Sequence, residues 1–200
     1  MKKLSVVLLV PLFCLNILAE ETVPPQSGDD NNAKKTKFAF FMEAIGTISK
    51  PKGAEKIGGS AGADATFGVS TLKRHLYLGP AIGFSQYWHN EKTSYAKTQT
   101  EWMYMPIYAD FRGFFLGKDN DVYIDLGIGG YVGFNQTVSY TPKSGKSTTY
   151  KDKTKGGVYF RVGLGASLSV FQIGVGYEMK KPSGGDAMNS AYFKLGIGIR

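Results

Sequence analysis

Cysteine is almost absent from this chain: one of its 200 residues is a cysteine, Cys14, in the apolar start of the sequence. A mature chain that loses this segment has no disulfide, no thiolate nucleophile and no sulfur ligand for a metal. Histidine is also scarce, with only His75 and His89. Two histidines without cysteine are too few for an ordinary transition-metal site. The sequence therefore predicts no cofactor and no metal.

A long internal apolar run is missing as well. After residue 18 there is no stretch of about 18 apolar residues, which excludes a transmembrane helix from the rest of the chain. Glycine is abundant, with 26 residues, and aromatic residues make up 14%. Because glycine weakens helices, this composition argues against a helical protein. The glycines alternate with apolar residues and form no phosphate-binding loop.

The first residues have the composition of a secretory signal. Lys2 and Lys3 precede an apolar stretch from residue 4 to 18, and Ala19 is followed by two glutamates. We predict a signal peptide at 1–19. Lipid attachment at Cys14 is disfavoured because a bulky phenylalanine precedes it. Residues 20–37 are polar and rich in proline, aspartate and asparagine, which predicts a disordered periplasmic linker.

The most informative stretch is Asp121–Asn135, where apolar residues alternate with small or polar ones. One face would carry Val122, Ile124, Leu126, Ile128, Val132 and Phe134. Alternation with a period of two predicts a strand with one apolar and one polar face. The strand is longer than is usual in soluble proteins and suits a tilted crossing of a bilayer.

Seven further segments alternate in the same way, so that residues 38–200 form one all-β domain. The predicted strands are 38–47, 59–71, 76–88, 101–115, 121–135, 158–170, 171–179 and 191–200. Long connections at 48–58, 89–100, 136–157 and 180–190 alternate with short ones. An even number of antiparallel strands with this rhythm predicts an eight-stranded up-and-down transmembrane barrel. Pro80 and Pro106 lie inside strands, and we expect a bulge or local distortion at each.

With a signal sequence, eight strands and this loop rhythm, the chain resembles the family of small outer-membrane β-barrels that includes the OmpA-type transmembrane domain. The segment 105–115, MPIYADFRGFF, is similar to the proline-bearing strand of that family. The resemblance implies a bacterial outer-membrane location and a monomer in contact with outer-membrane lipid. It implies a structural or surface-interaction role without enzyme activity.

Charged residues occupy the inward phase of the predicted strands. The candidate lumen network is Glu43, Asp64, Asp110, Arg112, Asp125, Arg161, Glu178 and Lys194. The interior of an eight-stranded barrel is just wide enough to be filled by side chains. We expect a structural ion-pair network that plugs the lumen; the alternative is a small passive pore or a gate that exchanges ion-pair partners.

The predicted long loops are rich in lysine, and the formal net charge of the chain is +8. The candidate anion-binding rim is Lys143, Lys146, Lys151, Lys153 and Lys155. We expect this rim to meet the phosphates of lipopolysaccharide, because clustered cations concentrate anions. No nucleic-acid recognition module is visible, so no nucleic-acid partner is predicted. Aromatic residues near strand ends suggest interfacial girdles, with Tyr87, Trp88 and Trp102 at one end and Tyr77, Phe114 and Tyr123 at the other.

Two other protein classes remain open at this point. Some eight-stranded barrels are lipid-modifying hydrolases with a histidine, a serine and a glutamate on the lipid-facing rim. In this chain His89, Glu91 and either Ser85 or Ser94 would be the candidates, although no acyl-transfer motif accompanies them. A soluble lipocalin-like barrel would instead turn its apolar face inward, around a ligand.

Overall fold

The computed structural model describes residues 37–51, 54–71, 75–152 and 156–199. The predicted signal peptide and all of the predicted linker except Lys37 lie outside this range. In the described ranges, no helix has both the length and the apolarity needed to cross a membrane.

Antiparallel strands make up almost all of the described chain. They are β1 (Lys37–Ser49), β2 (Gly58–Thr71), β3 (Leu76–Lys92), β4 (Ala96–Phe114), β5 (Asn120–Pro142), β6 (Thr148–Asp152), β7 (Gly157–Leu168), β8 (Phe171–Pro182) and β9 (Met188–Ile199). Each described strand pairs with the next along the chain, except that β6 pairs with β5 alone and β7 pairs with β5 instead of β6. Pairing of β1 with β9 closes the sheet into a barrel.

Strands β6 and β7 lie along the same edge of β5. Gln136 pairs with Asp152, and Tyr131 pairs with Gly157, so the two segments share one register. They are therefore two parts of one strand, and the barrel has eight strands. The eight-stranded antiparallel barrel predicted from the sequence is confirmed.

The predicted long loops are mostly continuations of the strands. Strands β3 and β4 extend to Lys92 and from Ala96, which leaves only residues 93–95 between them. Likewise β5 continues to Pro142. The prediction of long loops at 89–100 and 136–157 was wrong, because strands that leave the membrane no longer need an apolar face. Their alternation disappears while backbone pairing continues.

The two strand prolines interrupt pairing on one side without shifting the register. Pro80 keeps its partner on β4, but the β2–β3 ladder is interrupted between Thr66–Ala81 and Val69–Leu78. Pairing beside Pro106 is interrupted in the same way on the β3 side. Proline lacks the N–H that would serve the interrupted ladder. The distortion expected at each proline is thus an interruption rather than a bulge.

A register shift lies elsewhere, between Glu101 and Met103 on β4, opposite β5. Asn135 of β5 adopts a left-handed conformation there, with a φ of 55°. Such a conformation is typical of an inserted residue in a bulge. The bulge marks where the strands leave the barrel wall.

The outer surface of the barrel is an apolar belt and the inner surface is polar. Phe38, Phe67, Ile128, Phe171 and Leu195 are between 48% and 86% exposed, whereas Glu43, Asp110, Arg112 and Lys194 are at most 1% exposed. On β1 the belt runs from Phe38 to Ile48, about 25 Å high for a strand tilted by about 40°. The protein is therefore a transmembrane barrel of the bacterial outer-membrane type, as predicted. This polarity is opposite to that of a lipocalin, so the soluble alternative was wrong.

Candidate functional site

The lumen contains a connected network of buried charges, and Arg112 of β4 is one of its two centres. Its guanidinium donates to both carboxylate oxygens of Glu43 on β1, at 2.8 and 2.9 Å. It also donates to Asp110 at 2.8 Å and to Gln172 of β8 at 2.7 Å. The guanidinium carbon lies 4.1 Å from the ring centre of Phe41. One cation thus connects β1, β4 and β8 across the barrel.

Arg161 of β7 is the second centre. It donates to Asp64 of β2 at 3.1 Å and to Asp110 at 3.2 Å, and it lies 3.5 Å from Glu43. Its distance to Asp125 on the neighbouring strand is longer, at 3.9 Å. The two arginines therefore share Glu43 and Asp110. A shared carboxylate makes the network one unit rather than a set of isolated pairs.

Two buried lysines form further ion pairs in the lumen. Lys194 of β9 is paired with Asp125 and lies 3.1 Å from Glu43. Lys180 of β8 pairs with Glu178 and donates to the hydroxyl of Tyr104 at 3.0 Å. Lys180 is buried on β8, so the prediction of a long connection beginning at residue 180 was wrong there. Its inward phase with Glu178 was the signal that could have identified it.

Glycines make room for the large inward side chains. A methyl group at Gly127 would lie 2.8 Å from Cγ of Arg161, which faces it from β7. A methyl group at Gly163 would overlap the hydroxyl of Tyr192 and lie 2.7 Å from Asp125 Oδ1. The glycines at inward-facing positions therefore leave the space into which the charged and aromatic side chains of the lumen fit.

Aromatic side chains seal the lumen on both sides of the charges. Towards the short turns, the buried cluster contains Ala39, Phe41, Tyr77, Phe114 and Tyr123. Towards the long hairpins, the cluster contains Ala81, Tyr87, Tyr104, Tyr108, Tyr131 and Tyr159, with Trp102 and Met188 packed against it. The predicted girdle was therefore wrong for Tyr77, Tyr87, Trp102, Phe114 and Tyr123. Of the six residues predicted for the girdle, Trp88 is the one exposed on the outer surface.

The hydrolase candidates do not face the lipid. His89 is 9% exposed and Ser85 is 5% exposed, on the inward face of β3. The alternative serine, Ser94, is exposed in the tight connection between β3 and β4, beyond the apolar belt. Nε2 of His89 lies 3.0 Å from Glu91 Oε2. The backbone N–H of Glu55 donates to the other oxygen of Glu91 at 2.9 Å, and this hydrogen bond lowers the pKa of Glu91. The histidine and glutamate thus tie the loop after β1 to β3, and the lipid-facing arrangement was wrong.

Above the barrel, the ends of β3, β4 and β5 together with β6 form a projecting four-stranded sheet. Strand β5 continues eight residues beyond Phe134, about 26 Å at about 3.3 Å per residue. Side-chain hydrogen bonds join β5 to β6, such as Ser139 to Thr149 at 3.0 Å. The N–H of Lys143 donates to the carbonyl of Tyr95 at 3.0 Å, which joins the two hairpin tips. In the described part of the chain, β6 pairs with β5 alone.

The lysines of the predicted rim lie on this projecting sheet. Lys143 and Lys146 are exposed at the tip of the β5–β6 hairpin, and Lys151 is exposed on β6. Lys153 and Lys155 lie outside the described residues. Tyr140 and Tyr150 on the same hairpin are 42% and 58% exposed. The sheet therefore presents cations and aromatic rings well above the apolar belt.

Groups of three or more histidine, cysteine, aspartate or glutamate residues that could hold a metal are absent from the described residues. No protein-family model matches the sequence, and no curated protein matches it either.

Solved structures of small barrels are similar to this chain in fold. Ail, the attachment invasion locus protein of Yersinia pestis, is 16% identical, with a TM-score of 0.48 and coverage of 80% of this chain and 96% of Ail. The N-terminal barrel domain of Pseudomonas aeruginosa OprF is 10% identical, with a TM-score of 0.45 and coverage of 80% and 97%. Neisserial surface protein A is 15% identical, with a TM-score of 0.45 and coverage of 83% and 99%. At these values, nothing about the site or activity of this chain follows from the similarity.

Proposed function

We propose that this protein is a non-enzymatic surface-interaction protein, in which a plugged monomeric barrel anchors a binding sheet outside the outer membrane. The observation that carries the proposal is the projecting sheet with its exposed lysines and tyrosines. Outer-membrane barrels have short periplasmic turns and longer extracellular loops, so the sheet would face outward. Residues 1–19 would direct export, and 20–37 would be a periplasmic linker.

The lumen network supports a structural role for the barrel itself. Two aromatic clusters lie on either side of the buried lumen charges, which are the cations Arg112, Arg161, Lys180 and Lys194 and the carboxylates Glu43, Asp64, Asp110, Asp125 and Glu178. A conducting pore needs a continuous polar path, and the aromatic clusters leave little room for one. A small passive pore is therefore the less favoured function.

Lipopolysaccharide is the partner that suits the lysines of the sheet. Lys143, Lys146 and Lys151 lie on a segment above the apolar belt, where the anionic groups of the lipopolysaccharide sugar layer would be. Exposed charges more than about 8–10 Å apart are screened near physiological salt, so the attraction should depend on salt. The lysines would thus hold the sheet within an anionic surface layer.

Changing Lys143, Lys146 and Lys151 to glutamine should weaken binding to purified lipopolysaccharide. The expected loss is roughly tenfold at low salt, because exposed charges contribute at most about 1 kcal/mol each and are not additive. The salt dependence of binding should become shallower. Binding can be measured by surface plasmon resonance with protein in nanodiscs.

Lys118→Gln provides a control, since Lys118 lies in the short turn between β4 and β5, at the opposite end of the barrel. It should bind lipopolysaccharide as the parent does. Equal binding by the triple variant and the parent at both low and high salt would contradict the anion-binding role.

A peptide partner is a second candidate, favoured by the edge of β6. An edge strand offers a row of N–H and C=O groups to which an extended peptide can add as a further strand. Among the described strands, β6 pairs with β5 alone, and its five residues contain no proline. The neighbouring lysines would favour an acidic peptide.

Thr149→Pro and Tyr150→Pro should have different effects, because alternate residues of β6 direct their N–H groups to β5 and to the free edge. One proline should remove binding of an acidic peptide selected from a display library, with the β5–β6 hairpin intact. The other should weaken the hairpin, visible as faster hydrogen exchange. If both variants bind the peptide like the parent, strand addition at β6 is wrong.

A further inference from the structure

A groove interrupts the apolar belt on the side of the barrel formed by β9, β1, β2 and β3. Its volume is about 490 Å³. Its outward-facing lining consists of Gly46, Ile48, Ala61, Trp88, Ala191 and Phe193. The groove lies at the end of the belt that is nearest the long hairpins, since Ile48 is next to the last residue of β1.

The floor of the groove is not filled by any side chain of the described barrel residues. A methyl group added at Gly46 would meet nothing within 4 Å, unlike the methyl groups at the inward glycines. Gly46 pairs with Ala61 on one side and with Phe193 on the other, so a small floor lies beside an aromatic wall. Trp88 forms the opposite wall and is 43% exposed. This shape fits a narrow apolar chain.

Positive charge borders the groove at its outer end. Lys50 follows Ile48 by two residues, and Lys56 precedes the first residue of β2 by two; both are exposed. Gly58, the first residue of β2, pairs with Ser49, so the two lysines flank the same hairpin end. Among the described residues of this loop, 50–51 and 54–57, Glu55 is the one acidic residue. Glu91 of β3 also reaches the loop, where its carboxylate accepts a hydrogen bond from the backbone N–H of Glu55 and attracts Lys56.

We propose that the groove binds one acyl chain of a phospholipid whose headgroup is net anionic, with Lys50 and Lys56 at its phosphate. The groove lies within the apolar belt, where a bound peptide would leave backbone groups without hydrogen-bond partners. An acyl chain has no such groups, and two lysines at the headgroup level attract an anionic lipid. The proposal rests on the transmembrane barrel and is independent of the projecting sheet, so either can fail alone.

Trp88 provides the measurement. In a Trp102→Phe variant of the full barrel, Trp88 is the remaining tryptophan of the described chain, and lipids brominated in the acyl chain quench tryptophan on contact. We expect half-maximal quenching at a mole fraction of brominated phosphatidylglycerol roughly fivefold lower than that of brominated phosphatidylcholine in vesicles. Equal mole fractions for the two lipids would overturn the proposal.

Two glycine variants distinguish lipid binding in the groove from lipid contact elsewhere on the apolar belt. Gly46→Leu should fill the groove and abolish the preference for phosphatidylglycerol. Gly113→Leu is the matched control, because its added side chain also meets nothing within 4 Å and it lies on β4, away from the groove. Heat-modifiable migration in gels should show that both variants fold. A preference that persists in Gly46→Leu would overturn the proposal.

Lys50→Gln combined with Lys56→Gln should make the two brominated lipids equivalent while the groove stays open. A preference unchanged in this variant would overturn the assignment of the phosphate to these lysines. If a second copy of the chain occupies the groove, quenching by both lipids should fall as the protein-to-lipid ratio rises. That dependence would also overturn the proposal.

Discussion

Arg112→Ala should lower the free energy of unfolding by about 3–5 kcal/mol, because it leaves buried carboxylates without their main cation. Glu43 loses the two hydrogen bonds that Arg112 donates, at 2.8 and 2.9 Å, and Asp110 loses one at 2.8 Å. The change also removes the cation that lies over the ring of Phe41. The heat-modifiable gel shift of the folded barrel should move to a lower temperature.

Removing both partners should cost less than removing the arginine alone. In Arg112→Gln combined with Glu43→Gln, one buried cation and one buried carboxylate are removed together, so the net charge of the lumen is unchanged and stability should recover in part. Single-channel recordings in planar bilayers distinguish plug from pore. If Arg112→Ala leaves the unfolding temperature unchanged and raises conductance, the network is a gate and the structural role is wrong.

Gly163→Val should destabilise the barrel by about 1–3 kcal/mol or more, because a side chain there has no space to enter. Its Cβ would overlap the hydroxyl of Tyr192 and lie 2.7 Å from both Asp125 Oδ1 and the carbonyl oxygen of Val175. The Val175 carbonyl belongs to the backbone of β8 and cannot move aside as a side chain can. Urea unfolding of the refolded barrel, followed by tryptophan fluorescence, measures the loss.

Gly113→Val is the control for this experiment. Gly113 is exposed on the outer surface of β4, and a methyl group there meets nothing within 4 Å. Its stability should stay within about 0.5 kcal/mol of the parent. If Gly163→Val is as stable as Gly113→Val, the inward glycines are not required by the lumen side chains.

The direction of the side chains was predictable from the sequence for the strands within the membrane. Lipid contacts one face of each strand and the narrow lumen contacts the other. Apolar and polar or small residues must therefore alternate along the strand, and this alternation is visible in the sequence. For example, Val122 and Ile124 are exposed on β5 while Asp125 is buried. The same phase rule places Tyr77 and Tyr123 in the lumen, and the girdle prediction failed because it ignored their phase.

Strand length outside the membrane was not predictable from alternation. Both faces of the projecting sheet meet water, so no polarity difference marks the continuation of β5 to Pro142 or the presence of β6. Only the backbone pairing in the structure showed that β6 has an edge without a partner strand among the described residues. It also showed that Lys143 and Lys146 lie at a hairpin tip. These are the features on which the proposed surface role depends.

The sequence by itself determined the strand count and the polarity of the barrel, since each depends on a local period of two. The same period indicated an inward phase for charges within the predicted strands but missed Lys180, which lies beyond a predicted strand end. Only the tertiary structure decided which charges meet. Arg112 and Glu43 are 69 residues apart and lie on strands that are not neighbours, so no strand register relates them. Closure of the barrel brings them together, because a narrow ring places opposite walls within reach of one long side chain.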